Sequence, residues 1–297
     1  MQVLINEGDE VIIQAPYWVS YPDMVLLAGG KPVIINTESD SGFKITPKQI
    51  AENITEKTKA IIINSPSNPT GAAYTLEELK GIAEVIENRD IIPISDDIYE
   101  SIVFDRFKFH NIANVSDAMK KKAIIINGAS KTYAMTGWRI GYLAGNRDIV
   151  NKIDILQGQS TSNPTTISQW AAVEALTGDQ DVLSEMLTAF DRRRKFVVNE
   201  LNSIQGISCY NPEGAFYAFP QVSEVYKFKG WKSIAEKYSD PYRSSSLCAY
   251  LMEEARTAVV PGIAFGNDNY FRMSFAASDE NLKEGLNRIR DAVERLI

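Results

Sequence analysis

At 297 residues, with 44% hydrophobic and 23% charged residues, the chain can bury the core of one large or two ordinary domains, which excludes a disordered protein. A net charge of −7 argues against general nucleic-acid affinity, and the one basic run, "DRRRK" at 191–195, lies in a helical pattern and reads as a solvated face. The single histidine, His110, and two distant cysteines, Cys209 and Cys248, exclude a histidine triad, a metal pattern and a disulfide framework; with no signal segment and no run of ~18 apolar residues, a cytoplasmic protein without a membrane partner is expected.

From the amino end, short β-branched runs recur: "EVIIQ" from Glu10, "KPVII" from Lys31, "KAIIIN" from Lys59, "IIPIS" from Ile91, "AIIIN" from Ala123 and "IGYLA" from Ile140. Helical patterns separate them, so the expected fold class is α/β, an open, mostly parallel sheet with helices on both faces. One of those helices, "YTLEELKGIAEVIENR", has Thr75 as its N-cap and Glu78 as the capping-box partner. Pro93 cannot donate to a ladder, and it predicts that the fourth run is an edge strand or begins at the proline. From about Asn146 the character changes to helices: "RDIVNKIDILQGQ", "TTISQWAAVEAL" and "VLSEMLTAFDRRRKFVVNELNSI". After Gly206 the short strand patterns "ISCY", "AFYAFP", "TAVV" and "YFRMSFA" mix with two helical segments, and "DENLKEGLNRIRDAVERLI" closes the chain. That α+β pattern predicts a large domain over 1–179, then an interdomain helix and a small carboxyl-terminal domain over 180–297.

Ligands of an open parallel sheet bind beyond the carboxyl ends of its strands. There "KAIIIN" runs into "SPSNPTG" with Asn68, "IIPIS" into "DDIYE" with Asp96 and Tyr99, and "AIIIN" into "GASK" with Lys131. Lys131 and Arg139 stand almost alone among small and apolar neighbours, and a buried cation needs a partner. Together these groups answer the needs of pyridoxal 5'-phosphate: an amine for a Schiff base, a carboxylate to keep the pyridine nitrogen protonated, and donors for the phosphate. Lys131 can supply the amine and Asp96 the carboxylate. Asn68 and Tyr99 can hydrogen-bond the ring hydroxyl, and the planar fork of Arg139 suits a phosphate. A nucleotide phosphate loop is excluded, because Ile125 and Ser130 stand where that motif requires glycine. The spacing of Gly137, Gly141 and Gly145 likewise differs from the dinucleotide fingerprint.

Across these motifs the sequence resembles the fold-type I pyridoxal-phosphate enzymes, and within them the class I aminotransferases of the bacterial aspartate aminotransferase subgroup. "GASKTYAMTGWRIG" is similar to the family's cofactor-lysine signature, and the likeness runs from "NEGDEVIIQAPYWVSYPDMV" through "NSPSNPTG" and "SDDIYE" to "YFRMSFAAS". The resemblance implies that Lys131 is the Schiff-base lysine and later the proton carrier. It pairs Asp96, or failing that Asp97, with the pyridine nitrogen, and sets Asn68 and Tyr99 on the ring oxygen and Arg139 on the phosphate. Trp18 would stack on the ring and Arg272 would grip the substrate's α-carboxylate, with Asn68 and Trp18 also facing the substrate. Ser130 is a further phosphate donor, although Gly128 stands where relatives often carry a hydroxyl. Tyr17, Tyr21, Tyr133 and Trp138 are read as packing, and "EGAFYAFP" at 213–220 as lining the domain junction.

The activity so implied is a two-stage exchange of an amino group, with aspartate and 2-oxoglutarate as the leading pair. The alternatives are another pyridoxal-phosphate amino-acid reaction, such as elimination or decarboxylation, and a catalytically impaired fragment. Members of the family form homodimers, and a homodimer is expected here. They also carry an amino-terminal portion expected to be lacking in this chain, including the helix start whose amides bind the phosphate. A short form made alone is therefore expected to be poorly soluble or to bind the cofactor weakly.

Overall fold

The computed structural model describes residues 1–297. The six β-branched runs become strands β1 (Glu10–Ala15), β2 (Lys31–Asn36), β3 (Thr58–Asn64), β4 (Ile92–Asp96), β5 (Ile124–Gly128) and β6 (Gly141–Ala144). They form one sheet in the order β2-β1-β3-β4-β5-β6, parallel except for β6, which runs antiparallel to β5. Successive strand residues point to opposite faces, and here both faces are apolar. Ile12, Ile61 and Ile63 pack on one side, while Val11, Ile13, Ala60 and Ile62 pack on the other.

Helices cover both faces. On the second face lies α1 (Ser20–Leu27), through Tyr21 and Val25. Against the first pack α2 (Pro47–Asn53), α3 (Leu76–Ile86) and α4 (Asp117–Lys122), through Ile50, Leu79, Ile82, Ile86 and Met119. The capping box of α3 forms as its sequence predicts: the Glu78 carboxylate accepts the Thr75 N–H at 2.7 Å and the Thr75 hydroxyl accepts the Glu78 N–H at 3.3 Å. Pro93 corrects the edge-strand expectation, because β4 lies between β3 and β5 and the proline is its second residue. Pairing with β5 begins only at Ile94, so a missing N–H at position 93 forfeits no bond to that neighbour.

One turn of helix, α5 (Ala129–Thr132), follows β5, and after β6 come α6 (Arg147–Ser160), α7 (Thr166–Thr177) and the long α8 (Asp181–Asn202). The remaining strands are short. β7 (Ser208–Cys209) pairs with β9 (Pro220–Gln221), while β8 (Tyr217–Ala218), β10 (Val260–Pro261) and β11 (Phe271–Ser274) make an antiparallel sheet in the order β10-β11-β8. Helices α9 (Trp231–Tyr238), α10 (Arg243–Ala255) and α11 (Asp279–Glu294) complete this layer. Its apolar cluster includes Val197, Phe271 and Leu286, and it also takes in Tyr99, Ile102 and Phe104 from the segment after β4. The basic run departs from a wholly solvated face: Arg194 is 1% exposed and pairs with Asp105 and Asp191, each at 2.7 Å. Its position on α8 turns it inward, and two carboxylates with the Asn211 side chain and the Pro212 carbonyl meet the desolvated guanidinium. No helix is long and apolar enough to cross a membrane.

Candidate active site

The parallel register brings the carboxyl ends of β3, β4 and β5 to one edge of the sheet, where a cavity of about 340 Å³ opens. Its walls include Trp18, Asn68, Asp96, Tyr99, Lys131 and Arg272, six of the residues singled out above. Ser130 and Arg139 lie outside this lining. Ser130 is half-buried in α5, and Arg139 is exposed in a left-handed turn (φ 50°) with its Nη1 donating to the Thr136 carbonyl at 3.0 Å.

Lys131 projects from the single turn after β5, with Nζ 5.9 Å from the centre of the Phe216 ring. Partial burial pushes its pKa below the usual lysine value, and the positive charges of Arg272 and Arg139 push the same way. A neutral amine, the form that attacks a carbonyl, is thereby easier to reach.

Asp96 ends β4 facing the cavity. Its Oδ2 accepts the Tyr21 hydroxyl at 2.5 Å and its Oδ1 the Ile98 N–H at 3.3 Å. Burial raises its pKa, and these two donors pull it back. Asp97 is the next residue and points the other way, fully buried, accepting the Ser95 hydroxyl at 2.6 Å and the Asn111 side-chain N–H at 3.0 Å. Burial pushes its pKa up to about 7.

The loop after β3 is held by side chains. Asn64 Oδ1 accepts the Asn68 N–H at 2.9 Å, and Asn64 Nδ2 donates to the Asp96 carbonyl at 3.0 Å. Gly71 closes the loop at φ 69°, where a Cβ would meet Pro212 at 2.4 Å and the Gly214 carbonyl at 2.6 Å. Only glycine permits both that conformation and that approach of the carboxyl-terminal layer.

From that layer β11 delivers Arg272, whose Nη1 donates to Asn68 Oδ1 at 2.9 Å. Its guanidinium carbon sits 4.6 Å from the Tyr217 ring centre and 4.9 Å from that of Phe265. Tyr217 in turn shares a 2.9 Å hydroxyl–hydroxyl bond with Tyr99. Burial holds the Tyr99 phenol well above its ordinary pKa, so it stays a donor. Two features fit pyridoxal phosphate and an amino acid. The buried Arg272 Nε has no acceptor, and the buried Asp96 carboxylate has only neutral donors where a pyridinium would bring a charge.

Comparison with known proteins agrees in family and in fold. The family described as "Aminotransferase class I and II" matches residues 1–289. The chain belongs to that family. This aminotransferase is 49% identical to a probable aspartate/prephenate aminotransferase of Rickettsia bellii, over 97% of this chain and 71% of that protein. It is 47% identical to an aspartate aminotransferase of Bacillus sp. strain YM-2, over 99% of this chain and 71% of that one. Among solved structures it resembles the aspartate aminotransferase from Rhizobium meliloti, with a TM-score of 0.93 and 43% identity over 100% of this chain and 73% of that one. An aromatic aminotransferase from Pyrococcus horikoshii gives 0.90 and 36% identity, over 100% and 76%. Family membership makes the chain an aminotransferase with the fold-type I architecture and implies pyridoxal phosphate. Relatives named for aspartate and for aromatic substrates share the fold, which therefore does not select the substrate.

Five further residues line the cavity, Ile98 and Ile126 with the polar Tyr21, Asn64 and Tyr217; the sequence assigns no site role to those three, reading Tyr21 as packing and placing Tyr217 only within the domain junction. A signal existed for two of them. Asn64 ends a parallel strand, where ligands gather, and Tyr21 stands three residues after Trp18, on the same side of a helical turn. Tyr217 carries no such mark in "EGAFYAFP".

Proposed function

We propose that this aminotransferase moves the amino group of aspartate to a 2-oxo acid, with 2-oxoglutarate as the leading acceptor, using pyridoxal phosphate held in the cavity. The observation that supports the reading is the joint presence of Lys131, Asp96, Asn68, Tyr99 and Arg272 on one cavity wall system at the carboxyl edge of the sheet. When bound, pyridoxal phosphate supplies a sink for the electrons left at the substrate's α-carbon. Lys131 Nζ would hold the cofactor and would also carry the proton between the substrate's α-carbon and the cofactor. Asp96 keeps negative charge at the pyridine nitrogen. Asn68 and Tyr99 orient the ring oxygen, and Trp18 covers the ring. Arg272 takes the α-carboxylate with a planar fork already ordered by Asn68, Tyr217 and Phe265. Ser130, in α5, and Arg139, in the exposed turn after it, are assigned to the phosphate. Residues 1–179 form the cofactor-binding unit in this reading, and 180–297 bring the substrate clamp.

Steady-state kinetics tests it. A two-stage exchange between aspartate and 2-oxoglutarate gives parallel double-reciprocal lines, and intersecting lines would reject it. Arg272→Lys should raise KM for donor and acceptor alike, by about tenfold or more, because a point charge does not reproduce the fork. An effect on one substrate alone moves Arg272 to the side-chain pocket.

We also infer that two copies associate through α6 and α7. Helix α6 buries none of its residues and α7 only Ser168 and Ala172, while Ile155, Ile167 and Trp170 are exposed at 67%, 71% and 70%. An apolar surface of this kind marks an association site. Light scattering should return the mass of a dimer, and Trp170→Glu that of a monomer; a monomeric parent overturns the inference.

A further inference from the structure

We infer that Tyr21 is a positioning residue that aims the Asp96 carboxylate and keeps it ionised, an inference that rests on the assignment of Asp96 to the pyridine nitrogen. The phenol is 6% exposed and donates to Asp96 Oδ2 at 2.5 Å, a length typical of a hydroxyl bound to an ionised oxygen. Its place is set by packing. Tyr21 and Val25 of α1 lie in one apolar cluster with Val11, Ile13, Ile62 and Ile94 of the sheet, and the Trp18 ring meets Tyr21 edge-on at 5.4 Å and 89°. The donor is therefore delivered by a helix clamped to the sheet rather than by the loop that carries Asp96.

The other carboxylate oxygen takes the Ile98 N–H at 3.3 Å, a longer bond from the residue two along. With one donor on each oxygen, rotation about the Cβ–Cγ bond is arrested, and the lone pairs left over remain for a cation arriving from the cavity. The remaining titratable groups around the carboxylate are Tyr99 and Asp97 on its own segment, with Lys131 and Arg272 on the same cavity. Of the interactions that oppose the burial penalty on Asp96, the Tyr21 bond is the larger. Burial first, and then the charge of Asp96, holds the phenol's own pKa well above its usual value, so the proton stays on Tyr21 and the tyrosine acts only as donor.

Tyr21→Phe keeps the ring and removes only the hydroxyl. Its Kd for pyridoxal phosphate should weaken and kcat fall, each by about tenfold to a hundredfold, with KM for the amino acid unchanged. The pH midpoint of the visible band of the loaded protein should rise, because a less firmly ionised Asp96 leaves the ring nitrogen less protonated and the lysine-bound group more basic. A lowered Tm with Kd and midpoint at parent values would mean that Tyr21 only packs, and the inference fails. Should Tyr21→Phe not fold, 3-fluorotyrosine at position 21 retains the shape and strengthens the donor, and the midpoint should fall; an unchanged midpoint overturns the proposal. Asp96→Ala run beside them separates the two claims. If Asp96→Ala matches the parent, the underlying assignment fails; if it is impaired while Tyr21→Phe matches the parent, only the role of Tyr21 fails.

Discussion

Lys131→Ala should lower transamination by roughly 10⁴-fold or more, since one substitution removes both the nucleophile and the proton carrier. No other amine lines the cavity, so no neighbour can take over. Borohydride treatment of the loaded parent should fix the cofactor to the peptide that contains Lys131, and the variant should show no such attachment. Attachment at another lysine would sink the assignment. Burial and the charges of Arg272 and Arg139 depress the amine's pKa, so the neutral fraction at any pH below the usual lysine range exceeds that of a surface lysine. Attachment of the cofactor should persist to correspondingly lower pH than for a free lysine side chain. A small primary amine added to the Lys131→Ala protein should restore part of the rate, because the cavity that remains still holds Asp96, Asn68 and Arg272 in place.

Asp96→Ala should retain attachment at Lys131 but lose about 10²- to 10³-fold in kcat, the scale on which a preorganised charge aimed at a developing one contributes. The neighbouring carboxyl gives the contrast. Asp97→Asn should keep nearly the parent turnover, because Asp97 points away from the cavity into the bonds from Ser95 and Asn111. A rate loss confined to Asp97→Asn would show that the other carboxylate faces the ring. Stability offers a second readout. The folded protein holds the Asp97 proton up to about pH 7, whereas the unfolded chain releases it near the ordinary aspartate value of about 3.9. The native state therefore binds more protons between those limits, and stability should decline as pH rises through that window. Asp97→Asn should flatten the decline, as a pH series of thermal melts would reveal.

The sheet was legible because its evidence is local. Short, continuous β-branched runs mark each strand, and a parallel sheet places ligand groups at its carboxyl ends, which singles out Asn68, Asp96, Tyr99 and Lys131 before any contact is known. The resemblance prefers Asp96 to Asp97, but that Asp96 faces the cavity is decided by the packing of α1, which brings Tyr21 to its carboxylate. Pro93 left open whether this strand lies at an edge, because the cost of a missing N–H depends on which neighbour stands beside it, and pairing with β5 starts one residue later. Arg194 misled because a run of four basic residues says nothing of which way each points on α8.

The remainder of the site is built by contacts between segments far apart in the chain. Tyr21 reaches Asp96 across 75 residues, Tyr99 reaches Tyr217 across 118, and Arg272 reaches Asn68 across 204. Residue type and spacing name the reactive groups, because the chemistry of an amine, a carboxylate or a guanidinium belongs to the side chain itself. Which donor meets which acceptor, which carboxylate takes the buried phenol and which guanidinium nitrogen lacks an acceptor are outcomes of packing. A hydrogen bond depends on the distance and angle between atoms that only the folded core brings together.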